Sequence, residues 1–239
     1  HSAKIWTLMK REQPVNLSSS RVQRLWRQAA GVRGGGEKIE LLTRVFLGRP
    51  YAANTLIGSA GTPEVLTAPV DKFDCVTYAE TVLALARSSR PEQFVGWLRR
   101  IRYENGRVEW RSRNHYMTCW IRNNERAGIV RNISALAGSV IKNRILSIVP
   151  GLPPVAVRFR CIPKRLLPRL AEKLHSGDLI FFASTRPHLD VFHCGFVVRH
   201  DKRLLMRHAS RSRMFVVEQD LAEFVNDHRM AGVIIVRPT

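Results

Sequence analysis

Acid is what this sequence has little of: 19 Asp and Glu stand against 39 Lys and Arg, a formal charge of +20. The excess is spread along the chain rather than gathered in a tail. Such a surface attracts polyanions, whether nucleic acid, acidic lipid head groups or an anionic cell wall. No RNA-recognition signature, zinc-finger spacing or basic heptad region accompanies it, which sets nucleic acid aside as the main partner. Cysteine is also scarce. Cys75, Cys119, Cys161 and Cys194 are too few and too scattered for a disulfide scaffold, and no CxxC pair offers a structural zinc site. An oxidising compartment would leave Cys119 and Cys161 as a possible pair. No apolar run is long enough to span a bilayer. There is no internal repeat and no low-complexity tract. The glycine-rich stretch 31–36 has no strand before it and no GK[ST] after it, so it reads as a hinge rather than a phosphate loop. The chain opens at His1 without a signal-peptide apolar region. It is therefore expected to be a processed form whose targeting segment has gone.

What is present suffices for one well-packed core: 239 residues, 45% of them hydrophobic. Residues 1–16 lack a clear period and read as an arm. Residues 18–30 follow a serine cap and put Val22, Leu25, Trp26 and Ala29 on one helical face. Residues 37–47 form a second amphipathic helix, stopped by Gly48. A long polar loop then runs to Pro69, and loops of that length in a compact domain are usually functional. Residues 91–103 predict another helix, opened by Pro91. Between 107 and 150 the pattern is mixed, with 108–111 and 116–120 reading as extended. Residues 155–162 alternate weakly, as a strand would, and 163–174 read as helical. From 179 on the chain is β-rich, with short apolar strands at 179–183, 191–198, 204–209, 214–217 and 231–236 and a capped helical turn at 220–226. Helices first and antiparallel strands later predict an α+β fold. The expected division is an arm and helix over 1–36 and one domain over 37–239.

The run Phe73-Asp74-Cys75-Val76-Thr77-Tyr78-Ala79-Glu80 places a cysteine where a polar loop becomes an apolar helix. Val76, Ala79, Val82, Leu83 and Ala86 recur at helical spacing, and Asp74 or Asp71 can cap the start. A thiol in the first turn feels the positive end of the helix dipole and the free N–H groups, which favour thiolate. A single cysteine is more often a small core residue. Two histidines change that balance. The strands at 191–198 and 204–209 are joined by His200-Asp201-Lys202-Arg203, a hairpin turn. With His200-Asp201 as the loop, His193 falls opposite His208. With Asp201-Lys202 they become diagonal neighbours. Either register puts both imidazoles on one face, one to take the thiol proton and the other to orient it. Gly195, on that face, is expected to leave room for the helix end. A zinc site of Cys75, His193 and His208 is the rival use of these atoms. It ranks lower because no further group is evident to orient the ligands, and neither metal nor cofactor is expected.

Gly48-Arg49-Pro50-Tyr51, Phe73-Asp74-Cys75, Ser176-Gly177-Asp178-Leu179-Ile180, His193-Cys194-Gly195-Phe196 and Arg207-His208-Ala209-Ser210 follow one another in an order that resembles NlpC-type papain-like cysteine peptidases, bacterial cell-wall hydrolases. The runs Arg113-Asn114-His115-Tyr116-Met117-Thr118-Cys119-Trp120 and Tyr51-Ala52-Ala53-Asn54-Thr55-Leu56 resemble the N-acetylmuramoyl-L-alanine amidase-like branch. The resemblance runs from about residue 37 to the C-terminus. It implies a papain-like core, with the cysteine-bearing helix packed on an antiparallel sheet. It implies a triad of Cys75 as nucleophile, His193 as base and His208 as orienter. Tyr51 would line the oxyanion site with the Cys75 N–H, and Asn54, Asp74, Asn114, His115 and Tyr116 would serve the site or the substrate groove. Cys119 stands where the branch pattern has an acidic residue. The implied reaction is cleavage of the muramoyl–L-alanine amide of peptidoglycan or a muropeptide through a thioester. The alternatives are cleavage between D-glutamate and the diamino acid, acyl transfer by the same triad, or a non-catalytic basic binding protein on this scaffold. The substrate class implies a bacterial periplasm or cell envelope, where the positive surface would meet anionic envelope components.

Overall fold

A computed structural model describes residues 20–135 and 138–239. The arm expected over 1–16 and the serine cap expected for the first helix lie outside the described residues. Helix α1 (Ser20–Ala30) and helix α2 (Gly35–Val45) pack side by side. Leu25, Ala29, Ile39 and Leu42 face the core, and the Trp26 indole donates to the Ser88 carbonyl at 3.0 Å. The glycine-rich stretch joins them. A Cβ at Gly36 would stand 2.6 Å from the Ser176 carbonyl oxygen, and one at Gly177 2.9 Å from the Gly36 Cα. These two backbones touch because neither residue has a side chain.

The long loop carries a small hairpin, β1 (Ile57–Ser59) and β2 (Thr62–Val65), ahead of helix α3 (Cys75–Arg87). Asp74, not Asp71, caps α3. Its carboxylate accepts from the Thr77 N–H at 2.7 Å, and the Thr77 hydroxyl returns to the Asp74 N–H at 3.0 Å. This reciprocal cap stabilises a helix start by about 1 kcal/mol. Helix α4 (Phe94–Arg102) follows, opened as expected by Pro91 in a preceding 3-10 turn. Residues 108–120 depart from the extended reading. A 3-10 turn occupies Trp110–Ser112, and Met117–Arg126 is helix α5. The α5 cap is remote: the Asp190 carboxylate accepts from both the N–H and the hydroxyl of Thr118 at 2.7 Å.

Strand β3 (Val130–Asn132) precedes a separate two-stranded sheet of β4 (Val140–Leu146) and β5 (Val155–Cys161). Short helical turns fill 164–173, and β6 (Leu179–Ala183), β7 (Val191–His200), β8 (Arg203–Ser210), β9 (Phe215–Asp220), α6 (Leu221–Asp227) and β10 (Gly232–Pro238) complete the chain. The main sheet has the order β3-β10-β6-β7-β8-β9, antiparallel throughout. Alternate residues of β6 and β7 face opposite ways. Phe181, Cys194 and Phe196 join the core shared with α3, while Ile180, Phe182 and Val197 join a second core with Leu167, Leu170 and Phe224. The expected α+β architecture, with the Cys75 helix packed on an antiparallel sheet, is the one observed.

Candidate active site

The β7–β8 turn fixes the histidine geometry. His200 pairs with Arg203 and Phe196 with Arg207, so the loop is Asp201-Lys202 and the two histidines are diagonal neighbours. Asp201 takes a left-handed φ of 51°, as a two-residue hairpin turn requires. His193 Nε2 lies 2.7 Å from His208 Nδ1. Both rings rest on the second core: His193 stacks on Phe182 at 6.2 Å, and each lies 5.5 Å from the Phe224 ring. Gly195 does make room, but not for the helix. A Cβ there would meet Met206 Cγ at 2.8 Å and His208 Cβ at 3.0 Å. The space goes to the neighbouring strand that carries the second imidazole. Helix α3 docks instead on the opposite face, where the Cys194 thiol donates to the Cys75 carbonyl at 3.3 Å.

Cys75 stands at the first helical position of α3, half-buried. Its thiol is held well below the ordinary range. The neighbouring Cys194 thiol is the largest cause, and attraction to the His193 ring adds to it, together outweighing burial. The same contact and burial hold Cys194 well above its ordinary value, so Cys194 keeps its proton, which it turns to the Cys75 carbonyl. His208 is pushed down to about 3, first by burial and next by the His193 ring, with the Gln219 side chain opposing. His208 is therefore neutral at neutral pH. A neutral ring can offer a bare Nδ1 to a protonated His193, which stabilises the imidazolium without adding a second charge.

His208 should make stability depend on pH. The unfolded imidazole binds a proton near pH 6.5 and the folded one only near 3, so the unfolded state binds more protons in between. Stability should fall as pH drops through this window. Urea midpoints for wild type and His208→Asn should converge on acidification; parallel curves would remove His208 as the cause.

Tyr51 is positioned by backbone on both sides. Its N–H donates to the Met214 carbonyl at 2.8 Å, and the segment bridges Phe73, whose carbonyl accepts from Ala52 N–H at 2.8 Å. Burial raises the Tyr51 phenol, with the negative charges of Cys75 and Asp74 next and Arg211 opposing, so it keeps its proton. Asp74 is raised to about 6, by burial and then by the Cys75 charge, against the bonds from Thr77. A cleft of about 470 Å³ opens beside the two histidines, lined by Phe192, Phe224, His228, Arg211 and Ser212.

A family model described as N-acetylmuramoyl-L-alanine amidase-like matches residues 41–233. The chain belongs to that family. Among solved structures, an N-acetylmuramoyl-L-alanine amidase from Bacteroides uniformis superposes on this amidase-like chain with TM-score 0.77 and 26% identity, covering 86% of this chain and 99% of the other. A protein from Legionella pneumophila shares the fold at TM-score 0.80 and 20% identity, over 92% and 94% of the two chains. A putative xylanase from Bacteroides fragilis matches at TM-score 0.69 and 26% identity, over 82% and 98%. Comparison with curated proteins finds no match.

The other residues expected at the site or groove of this family member lie on the segments around α5 and in the long loop before α3. Asn114 is buried: its amide nitrogen donates to the Ile101 carbonyl at 3.1 Å, and its oxygen accepts from Asn123 at 2.8 Å. His115 Nε2 sits 2.7 Å from the Trp110 carbonyl, and the buried Tyr116 hydroxyl accepts from the Val149 N–H at 3.3 Å. These three side chains are engaged in holding their own surroundings, and they share a cleft of about 440 Å³ with Cys119, Leu152 and Pro153. None is hydrogen-bonded to the thiol or to either imidazole among the described residues. Asn54 is exposed in a left-handed conformation, φ 58°, which asparagine tolerates better than most residues. What sequence reasoning missed is Cys194 as a partner of Cys75, and Arg211 and Gln219 beside Tyr51 and His208. Strand alternation marks Cys194 as facing away from His193, but nothing local says that a helix end waits there.

Proposed function

We propose that this protein is a cysteine-dependent peptidoglycan amidase that cleaves the bond between N-acetylmuramic acid and L-alanine. The observation that carries the reading is the helix-start thiol of Cys75, favoured as thiolate beside an imidazole pair in contact at 2.7 Å. In this mechanism the Cys75 sulfur attacks the lactyl carbonyl and forms a tetrahedral oxyanion. Tyr51, still protonated, and the first N–H groups of α3 supply the stabilising donors. His193, charged and steadied by neutral His208, gives its proton to the departing amine of L-alanine. A thioester remains on Cys75. Water then attacks it, with His193 accepting the proton, and free thiolate is restored. The direct bond between the two imidazoles occupies His193 Nε2 and His208 Nδ1 with each other, one as donor and one as acceptor, which favours this use over zinc binding.

Family membership and the Bacteroides uniformis amidase support this choice of bond over the D-glutamyl–diamino acid alternative. Stem peptides carry several carboxylates, and the +20 chain would attract them. The substrate would place the protein in the bacterial periplasm or cell envelope. Digestion of a defined muropeptide, read by mass, tests the proposal. The expected products are the intact stem with a free L-alanine amine and the sugar bearing a free lactyl acid. A sugar still carrying the L-alanyl–D-glutamate dipeptide would overturn it in favour of the endopeptidase.

A further inference from the structure

The β4–β5 hairpin has a face that the fold does not use. Its register sets Ile141 against Arg160, Asn143 against Arg158 and Ile145 against Ala156. Alternation puts these six residues on one side. The other side is the structural one. Val140 and Phe159 pack on the main core, Leu146 and Cys161 are buried, and the Arg144 guanidinium reaches the Ser184 carbonyl. The outer side leaves Ile141 42% and Ile145 61% exposed, and the turn that follows leaves Ile148 48% exposed. A two-stranded sheet is held by its packed face, and threonine would serve strand propensity on the wet face at no loss. Three large aliphatic side chains in water therefore need another explanation.

The charge on this face supplies one. Arg158 and Arg160 are exposed, and neither forms an ion pair among the described residues; Arg160 donates to the Ser139 hydroxyl at 3.1 Å. Arg122 lies along the adjoining groove, where the acid is Glu125, whose carboxylate accepts the Asn132 N–H at 2.8 Å. A soluble polyanion would call for the cations and gain nothing from the isoleucines. An acidic bilayer takes both. Branched aliphatic side chains enter the acyl boundary while guanidinium groups meet phosphates.

We propose that the outer face of the β4–β5 hairpin, with Ile148 at its turn, docks on a bilayer rich in anionic phospholipid. This does not depend on the amidase reading, because attachment needs no turnover. The test is flotation with vesicles of phosphatidylcholine, alone or mixed with phosphatidylglycerol, at low and high salt. Wild type should float with the mixed vesicles, weakly at high salt, and not with the neutral ones. Ile141→Asn with Ile145→Asn, and separately Arg158→Gln with Arg160→Gln, should each weaken partition by about tenfold or more. Ile145→Thr alone, which keeps strand propensity, should weaken it by a smaller step, and melting curves would show each variant folded. Isoleucine variants that float like wild type would reduce the binding to bulk charge and overturn the proposal. So would wild-type dimers that dissociate on the isoleucine changes without floating, which would make the face a contact between copies.

Discussion

Cys75→Ala should lower turnover of the muropeptide amide by roughly 10⁴-fold, leaving only the rate that binding and oxyanion donors sustain. The thiolate has no substitute here. The nearest sulfur, Cys194, is buried, faces the Cys75 carbonyl and keeps its proton. The loss should fall on kcat, since a small side chain at the first position of α3 does not alter the cap made by Asp74 and Thr77. Alkylation by iodoacetamide gives the companion reading. The thiolate is the reactive form, so the rate falls as pH drops through the Cys75 pKa, and a lowered pKa moves that limb toward acid. Wild type should stay reactive well below the range of free cysteine. His193→Ala should move the limb back toward alkali, because the ring's attraction favours the thiolate. Full activity in Cys75→Ala, or a limb at the free-cysteine position in wild type, would end the nucleophile assignment. No turnover by wild type on any muropeptide would favour the binding-protein alternative.

The second large effect lies under the same helix. Glu80, one turn and a half beyond Cys75, is 1% exposed and pairs with Arg102, also 1% exposed, at 2.7 Å. Arg102 donates as well to the Thr67 carbonyl at 2.5 Å, and Trp120 donates to Glu80 at 3.3 Å. The pair therefore ties α3, α4, α5 and the loop before the cysteine together. Removing one partner strands a charge in the core, and Arg102→Ala should cost about 3–5 kcal/mol of stability. The paired change Glu80→Gln with Arg102→Met leaves no stranded charge and should cost less than Arg102→Ala. Urea unfolding measures both. A loss under about 1 kcal/mol for Arg102→Ala would mean that the site is wetter than its burial indicates. A second pair, Arg113 with Glu64 at 2.5 Å, fastens the β1–β2 hairpin by the same logic, with the Tyr103 hydroxyl donating to Glu64 at 2.7 Å.

The half of the fold that carries Cys75, His193 and His208 is legible because its signals are local. A two-residue turn at Asp201-Lys202 sets a register by counting, and the count brings His193 to His208 whichever of two turns is chosen. Asp74 and Thr77 announce the start of α3 within four residues. The region from Arg107 to Pro150 was not legible, for a physical reason. Tyr116, Trp120 and Ile121 favour strands on propensity, while the group that starts α5 is Asp190, 72 residues away from Thr118. A cap supplied from that distance leaves no trace in the local pattern. Only the second strand of the β4–β5 hairpin is legible, since the connection between the two is too long to pin a register. Asn114 and Tyr116 hydrogen-bond to their own surroundings as well as lining a cleft, contacts that no local pattern announces.

The contact between Gly36 and Gly177 reaches further than its size suggests. It joins the entrance of α2 to the turn that launches β6, and α2 in turn backs the Cys75 helix through the Tyr78 hydroxyl on the Thr43 carbonyl at 3.3 Å. The Arg207 guanidinium, one residue before His208, donates to the Glu40 carbonyl of α2 at 2.8 Å. A single methyl at position 36 would meet the Ser176 carbonyl at 2.6 Å and push α2 away from the turn that leads into β6. Two hydrogens in place of side chains thus set how closely α2 lies against the turn before β6.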